Sequence, residues 1–408
     1  MPKPLKRFLN LLCSLRLTIV LLVLGLILVF LGTMAQEPLG LYIAQTHFFH
    51  SMFVDAAAML AALKKSAQLV NIYLTPMLAA DVLAAPWIPV FPGGYLIGTL
   101  LLINLVAAHI QRFRMSWKKS GIFLVHLGLI LLLLGQLMTD QLATESGIRI
   151  REGETRNYSE ADRRSEFALI DTTEKEKDKV FAVPESLLKQ RGAIQPPGLP
   201  FHLNIKEYFE HSTVTNRSGA ILNQPAQATQ GIGVRAHAIE LPRVTSMEYR
   251  DVPSMVVEVA GPEGSLGTWM VSGYFDEPQK FTYKDRTYAM TLRLARHYYP
   301  FSLSLLDFRH DKYKGTELPR NFSSQIRLQN PSTGEDREVL IYMNNPLRYA
   351  GLTFYQASFD KVDDKVTVLQ VVRNPGWLTP YIACIMAGLG LVIQFMIHLV
   401  GFIKKRTS

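Results

Sequence analysis

Cysteine is nearly absent from this 408-residue chain, which holds only Cys13 and Cys384, close to its opposite ends. Each lies in or beside an apolar run, so the sequence excludes a disulfide framework, a CxxC redox pair and a cysteine-based zinc cluster. The GxSxG, HExxH, P-loop and GxGxxG motifs are also missing. These absences argue against a self-contained hydrolase, kinase or thiol oxidoreductase.

An excess of charge of one sign is missing from most of the chain, although the formal net charge is +9. Eleven basic residues and no acidic residue lie in three short segments, 1–16, 111–120 and 402–408, and elsewhere acidic residues slightly outnumber basic ones. No basic face is left to bind phosphates, so we expect no nucleic-acid partner. Basic segments beside apolar runs instead mark the cytoplasmic side of a membrane.

Long apolar runs are abundant, and they exclude a purely soluble protein. The four predicted spans are Leu17–Ala35, Tyr95–Ile110, Gly121–Met138 and Trp377–Ile403. The first run makes about 28 Å of helix at ~1.5 Å per residue, which matches the apolar core of a lipid bilayer. A cleaved signal peptide is the alternative for this run, because Thr33-Met34-Ala35 resembles a cleavage site, but the length of the run favours retention.

The basic segments agree on one topology, with both termini and loop 111–120 in the cytoplasm. We therefore predict an integral protein of the inner (cytoplasmic) membrane, with four transmembrane helices plus a large extracytoplasmic (periplasmic) β-rich, sandwich-like domain. The predicted parts are a membrane region over 1–138, the outer domain over 139–376, and a final span with a basic tail over 377–408. Residues 36–94 contain shorter apolar patches, for which an interfacial or partly embedded loop is favoured over further crossings.

Within the outer domain the apolar pattern changes from a helical period to alternation, as along Tyr288–Leu294. The spacing of such segments predicts short strands in one or two sandwich-like layers. Asn330–Gly334 is predicted to close a hairpin, and the polar stretches 172–200 and 212–235 are predicted to be long loops. The other predicted strands are Phe167–Ile170, Met255–Val259, Trp269–Tyr274, Gln325–Gln329, Val339–Met343, Leu352–Ser358 and Val366–Val372.

Histidines inside the apolar runs are the principal candidates for chemistry, because a polar group without a partner is costly in a bilayer. His126 lies six residues into the third span, and His398 lies six residues before Lys404 at a similar predicted depth. Neutral imidazole is a good ligand for haem iron and for other metals. A hydrogen bond to a neighbouring helix is the alternative role for both, while His109 lies nearer the basic loop and would reach water.

Histidines outside the spans give weaker indications. His47 and His50 lie three residues apart and are predicted to be interfacial polar residues on one helical face. The histidines of the outer domain lack the spacing of a metal site and are predicted to be surface or core residues.

The order of these features resembles that of the ResB family, the membrane component of system II cytochrome c biogenesis. The resemblance covers nearly the whole chain and combines short motifs with three spans, an outer domain and a fourth span. The motifs are Leu15-Arg16-Leu17, Leu31-Gly32-Thr33 with Gln36, Asn104-Leu105, the Arg112 and Arg114 loop, His126-Leu127-Gly128 through Gly135, and Asn345-Pro346-Leu347 with Tyr349, Gly351 and Phe354-Tyr355-Gln356.

The resemblance implies a role in haem delivery. Together with a ResC/CcsA-type membrane protein, the chain would transfer haem b across the membrane and support its covalent attachment to apocytochrome c. It would need that partner because it lacks a tryptophan-rich haem-handling motif, its only tryptophans being Trp87, Trp117, Trp269 and Trp377. It would then be a component of a haem ligation complex, with no catalytic residue of its own.

By that resemblance, His126 matches the position of an intramembrane ligand to haem iron, and His398 is a further candidate for haem binding. Two other functions stay open. One is a membrane-anchored assembly scaffold that binds apocytochrome or the partner without ligating haem. The other is an accessory protein of a sensor or transporter, against which the sequence offers no cytoplasmic signalling module.

Overall fold

The computed structural model describes residues 9–112, 116–174, 178–244, 249–315, 319–360 and 362–407. The chain divides into a helical unit, up to Ala143 and again from Asn374, and a β-rich unit between Thr144 and Arg373. Four of the basic residues on which the predicted topology depends lie outside the described residues, namely Lys3, Lys6, Arg7 and Arg114.

Long apolar helices dominate the helical unit. Its helices are α1 (Leu15–Ala44), α2 (Ala56–Ala67), α3 (Ala79–Ala84), α4 (Gly94–Arg112), α5 (Ser120–Leu142) and α6 (Thr379–Thr407). Among the described residues, four segments are long and apolar enough to cross a membrane: Leu15–Phe49, Gly94–Gln111, Trp117–Leu142 and Thr379–Thr407. The prediction of four apolar helices is therefore confirmed.

Helix α1 continues beyond the predicted end of the first span at Ala35. Its chain breaks from helical geometry at Gly40, whose φ of 77° favours glycine, and it is followed by a π-helical turn at Gln45–Phe49. The apolar run ends before the helix does, because polar residues such as Gln36 and Glu37 are good helix formers. Glu37 also forms an ion pair with Lys65 of α2 at 2.5 Å.

The chain between the first two spans folds into short elements. Strands β1 (Phe53–Asp55) and β2 (Pro89–Pro92) pair in antiparallel orientation, and α2 and α3 lie between them in sequence. Helix α2 has 12 residues and α3 has six, whereas a crossing needs about 20. The alanines of α2 form one buried core with residues of α1.

Glycines spaced by seven residues allow α5 to pack closely against α6. Gly121, Gly128 and Gly135 are buried on one side of α5. A Cβ atom at Gly121 or Gly128 would lie 2.5 or 2.8 Å from a carbonyl oxygen of α6, and at Gly135 it would lie 2.5 Å from Thr379. Only a residue without a side chain permits so close a helix contact.

The β-rich unit consists of antiparallel strands. They are β3 (Thr144–Arg151), β4 (Thr155–Asp171), β5 (Lys179–Pro184), β6 (Gly192–Ile194), β7 (His202–Phe209), β8 (Ser212–Asn216), β9 (Ala236–Glu240), β10 (Ser254–Gly261), β11 (Gly264–Ser272), β12 (Gln279–Tyr283), β13 (Arg286–Lys312), β14 (Pro319–Asn330), β15 (Glu335–Tyr342), β16 (Leu347–Tyr349), β17 (Leu352–Phe359) and β18 (Val366–Arg373).

Three sheets are formed by these strands. The largest has ten strands in the order β15-β14-β13-β4-β3-β18-β17-β16, with β12 paired to β13 and β5 paired to β4. A four-stranded sheet has the order β11-β10-β7-β6, and β8 pairs with β9. The predicted hairpin at Asn330–Gly334 joins β14 to β15.

Two large apolar cores and a smaller cluster around Met270 organise the described part of this unit. The first joins side chains of the ten-stranded sheet, such as Phe167 and Met290, to side chains of the four-stranded sheet, such as Ile205 and Val257. Two sheets therefore face each other, as the predicted sandwich-like layers require. The second core lies within the ten-stranded sheet and includes residues of β3, β13, β14, β17 and β18.

The two stretches predicted to be loops are more structured than expected. Residues 172–200 include β5, β6 and a helical turn at Glu185–Leu188, and residues 212–235 include β8 and two 3-10 turns. Strand β5 pairs with β4 and buries Val183 in the first core. Its remaining side chains are mainly exposed or half-buried, which explains why the polar sequence gave no strand signal.

Candidate functional site

Helix α5 places His126 at the centre of the candidate site. The ring of His126 lies edge-on to the ring of His109 of α4, with 4.8 Å between the ring centroids and 81° between their planes. Nδ1 of His126 is buried and accepts or donates no hydrogen bond within the described part of the chain. A buried ring nitrogen in this condition is costly, which favours a role in binding.

His109 was not among the predicted site residues, and the structure brings it to His126. Its Nδ1 lies 3.0 Å from the carbonyl oxygen of Leu105. A carbonyl can only accept a hydrogen bond, so Nδ1 carries the proton. The signal for this pairing in the sequence was only partial, because His109 and His126 flank loop 111–120 of an antiparallel hairpin, two residues before it and six residues after it.

A cavity of about 680 Å³ adjoins this histidine pair. Helices α1, α4 and α5 all contribute to its wall, which is mainly apolar, and Thr18, Asn104 and the two histidines are among the polar members. The complete lining is Cys13, Leu15, Thr18, Leu22, Leu101, Asn104, Leu105, Ala108, His109, His126, Leu129, Leu132 and Leu133. Its volume is in the range typical of ligand and cofactor sites, about 300–1,000 Å³.

Asn104 connects α4 to the beginning of α1 beside this cavity. Its side-chain oxygen accepts a hydrogen bond from the Thr18 hydroxyl at 2.6 Å. Its amide donates to the carbonyl oxygens of Leu12 and Ser14 at 2.5 and 3.2 Å. The residue is 2% exposed and its amide is well paired, so we assign it to positioning the cavity wall.

His398 lies on α6 and is not part of the cavity lining. Its Nε2 lies 2.9 Å from the side-chain amide of Gln394, one turn earlier in the helix. Gln394 in turn contacts the start of α5 by accepting a hydrogen bond from the Ile122 N–H at 3.3 Å. The structure therefore brings His126 together with His109 and does not bring it together with His398.

The two histidines that follow the first span have different partners. Nδ1 of His47 lies 2.5 Å from Oδ2 of Asp55, and the other carboxylate oxygen accepts a hydrogen bond from the Ala58 N–H at 2.9 Å. Burial alone would raise the pKa of Asp55, but the hydrogen bonds from His47 and Ala58 outweigh it and lower the pKa. His50 instead faces Asp140, with 3.5 Å between Nε2 and Oδ1.

Metal-ligand clusters are not preformed in the part of the chain that the structure describes. No group of three or more histidine, cysteine, aspartate or glutamate side chains is positioned to hold a metal ion. Any metal bound at His126 would thus need a cofactor's own ligands or a second protein to complete its coordination.

Comparison with known proteins gives matches over part of the chain. Residues 279–368 match the model of the ResB-like family, and this segment runs from β12 into β18. Protein NrfI of Wolinella succinogenes is 39% identical over 93 residues, which make up 23% of this chain. The aligned part is 10% of NrfI, so the chain covers about a tenth of the length of that relative.

Proposed function

We propose that the chain, which matches the ResB-like family over residues 279–368, acts in cytochrome c biogenesis and holds haem b through His126 during transfer of the haem across the membrane. The observation that carries this proposal is the buried Nδ1 of His126, which has no hydrogen-bond partner among the described residues and lies beside the cavity formed by α1, α4 and α5.

The residues around His126 fit a haem-sized cargo. The cavity is mainly apolar, which suits the porphyrin ring, and imidazole is a common axial ligand of haem iron. With haem as the cargo, the porphyrin supplies four nitrogen ligands to the iron, so the protein needs to supply only an axial group. His109 contacts the His126 ring from the side and restricts the orientations that the ring can adopt.

Partners complete the proposed activity. We propose a ResC/CcsA-type membrane protein as the partner in haem transfer, because the four tryptophans of this chain lie far apart in sequence and form no tryptophan-rich motif. The β-rich unit is the proposed contact for apocytochrome c, to which the complex would support haem attachment. We place this unit outside the cytoplasm and the helices in the inner membrane, in accordance with the basic segments around the spans.

An assembly scaffold is the second candidate function. The family match falls within the β-rich unit, whereas the histidine cavity lies in the helical unit. A protein that binds apocytochrome or a partner without holding haem would therefore give the same match to the family model.

The test is the absorption spectrum of the full chain purified with its partner under reducing conditions. We expect His126→Ala to lose most of the haem signal while the complex stays intact, and added imidazole to restore part of it. His398→Ala is the matched control, since this histidine lies on another helix outside the cavity, and it should retain haem. Undiminished haem in His126→Ala would overturn the ligand assignment and favour the scaffold.

A further inference from the structure

A second and smaller cavity lies at the opposite end of the α4–α5 pair from His126. It has a volume of about 230 Å³, and its wall includes His50 after α1, Tyr95 and Gly98 near the start of α4, and Leu137 and Asp140 near the end of α5. Asp140 is 14 residues from His126, which corresponds to about 21 Å along the helix at ~1.5 Å per residue. The two cavities are thus separate sites on one pair of helices.

A carboxylate with one unsatisfied oxygen among the described residues is the main polar feature of this cavity. Oδ2 of Asp140 is buried and receives no hydrogen bond from any described residue, and the side chain is 15% exposed. Nε2 of His50 lies 3.5 Å from the other oxygen, which is longer than an ordinary hydrogen bond of about 2.7–3.2 Å. The pair is therefore arranged to receive a hydroxyl group that donates to the carboxylate and accepts from the imidazole.

Aromatic and apolar groups complete the wall. The His50 ring is stacked on Tyr95, with 6.0 Å between centroids and 12° between planes. A Cβ atom added at Gly98 would meet no atom within 4 Å, so there is open space at that position. Since an apolar cavity of about 150 Å³ can hold benzene, this one has room for a substituted six-membered ring.

Exposed leucines lie beside the cavity on α5. Leu137, which lines the cavity, is 42% exposed, and its neighbour Leu134 is 39% exposed. On helices that cross a bilayer, such leucines face lipid. A ligand that enters between them is itself soluble in lipid.

We propose that this cavity binds the headgroup of a membrane quinol, with a ring hydroxyl donating to Asp140 and accepting from His50. The reduced form is specified because a carboxylate only accepts hydrogen bonds, so the carbonyl of a quinone has no donor to offer it. An anionic lipid headgroup is disfavoured by the negative charge of Asp140. The proposal goes beyond haem handling and involves none of the residues of the His126 cavity except Leu133, which borders both.

The test is calorimetric titration of the full chain in detergent with decylhydroquinone, and with the oxidised decylquinone, under anaerobic conditions. We expect the hydroquinone to bind at least about tenfold more tightly, since it alone makes a hydrogen bond to the charged acceptor. Asp140→Asn preserves the size of the side chain but adds an amide donor, so this preference should shrink or reverse.

Gly98→Leu fills the cavity and should abolish binding of both ligands. Gly388→Leu is the matched control, because Gly388 is also a helix glycine whose added side chain meets no atom within 4 Å, but it lies on α6. Absence of hydroquinone binding, or an unchanged preference in Asp140→Asn, would overturn the proposal. If Gly98→Leu loses hydroquinone binding but retains haem, the hydroquinone cavity is a site separate from the haem cavity.

Discussion

Replacement of Gly128 by alanine tests whether the close contact of α5 with α6 holds the His126 cavity in place. A Cβ at this position would lie 2.8 Å from the carbonyl oxygen of Ala383 and 3.1 Å from the backbone nitrogen of Ala387. Ordinary van der Waals contact begins near 3.4 Å, so the helices would have to separate by several tenths of an ångström. Overpacking of this kind typically costs about 1–3 kcal/mol.

The expected change in stability has the opposite sign to that of an ordinary glycine-to-alanine replacement in a helix. In an open helix position, glycine to alanine stabilises by about 1 kcal/mol, because alanine loses less backbone entropy on folding. Gly388→Ala on α6 has this open environment and should be neutral or stabilising. We expect Gly128→Ala to be net destabilising by up to about 2 kcal/mol.

Thermal unfolding of the two variants in the same detergent measures the difference, and the haem spectrum of each complex reports on the cavity. Gly128→Ala should unfold at a lower temperature than the parent chain and retain less haem, because residue 128 is two positions from His126. Equal or higher stability of Gly128→Ala compared with Gly388→Ala would refute the proposed close contact.

Two further predictions concern polar groups that hold the helical unit together. Asn104→Ala removes three hydrogen bonds between α4 and the start of α1. We therefore expect a loss of about 2 kcal/mol in stability, measured by thermal unfolding. We also expect weaker haem retention, measured by the absorption spectrum of the complex. Thr33→Ala is a suitable control, since its hydroxyl bonds only within α1; equal effects of both variants would contradict the role of Asn104. Asp55 has a lowered pKa in the folded protein, so its stabilising contribution is present above the ordinary carboxyl pKa and is lost as the pH falls through the folded value. Thermal unfolding should therefore show that acidification from pH 7 to below pH 4 lowers the stability of Asp55→Ala less than that of the parent chain. At pH 7 the variant should be about 1 kcal/mol less stable than the parent chain, because the N-cap of α2 is lost. An identical loss on acidification in both proteins would show that Asp55 does not contribute.

The apolar helices could be predicted from sequence because each carries its own signal in a continuous run. The strand Tyr288–Leu294 could be predicted from its alternating sequence, and its apolar residues Tyr288, Met290 and Leu292 are buried in β13, although Ala289 is buried as well. Strand β5 and the N-terminal part of β4, which includes Asp162, Arg163 and Arg164, were missed because their sequences are polar. Such strands are specified by pairing with neighbours, which a local pattern does not reveal.

The cavity was less predictable than its central histidine. His126 was identified because an isolated imidazole in an apolar run is unusual. The contact with His109 depends on how α4 and α5 align across their hairpin, and the contribution of Thr18 depends on the position of α1. Each of these is a tertiary relation between residues that are far apart in sequence or on different helices.

Helix α5 combines its functions through the division of its surface into two stripes. At about 100° per residue, Gly121, Gly128 and Gly135 lie within about 20° of one line along the helix. His126, Leu133 and Asp140, which line the two cavities, lie about 120–160° away from that line. Packing against α6 therefore fixes the rotation of α5 about its axis, and that rotation directs His126 and Asp140 to the same side. A shift in the glycine contacts should consequently alter both sites together, whereas Gly98→Leu on α4 should alter only the smaller one.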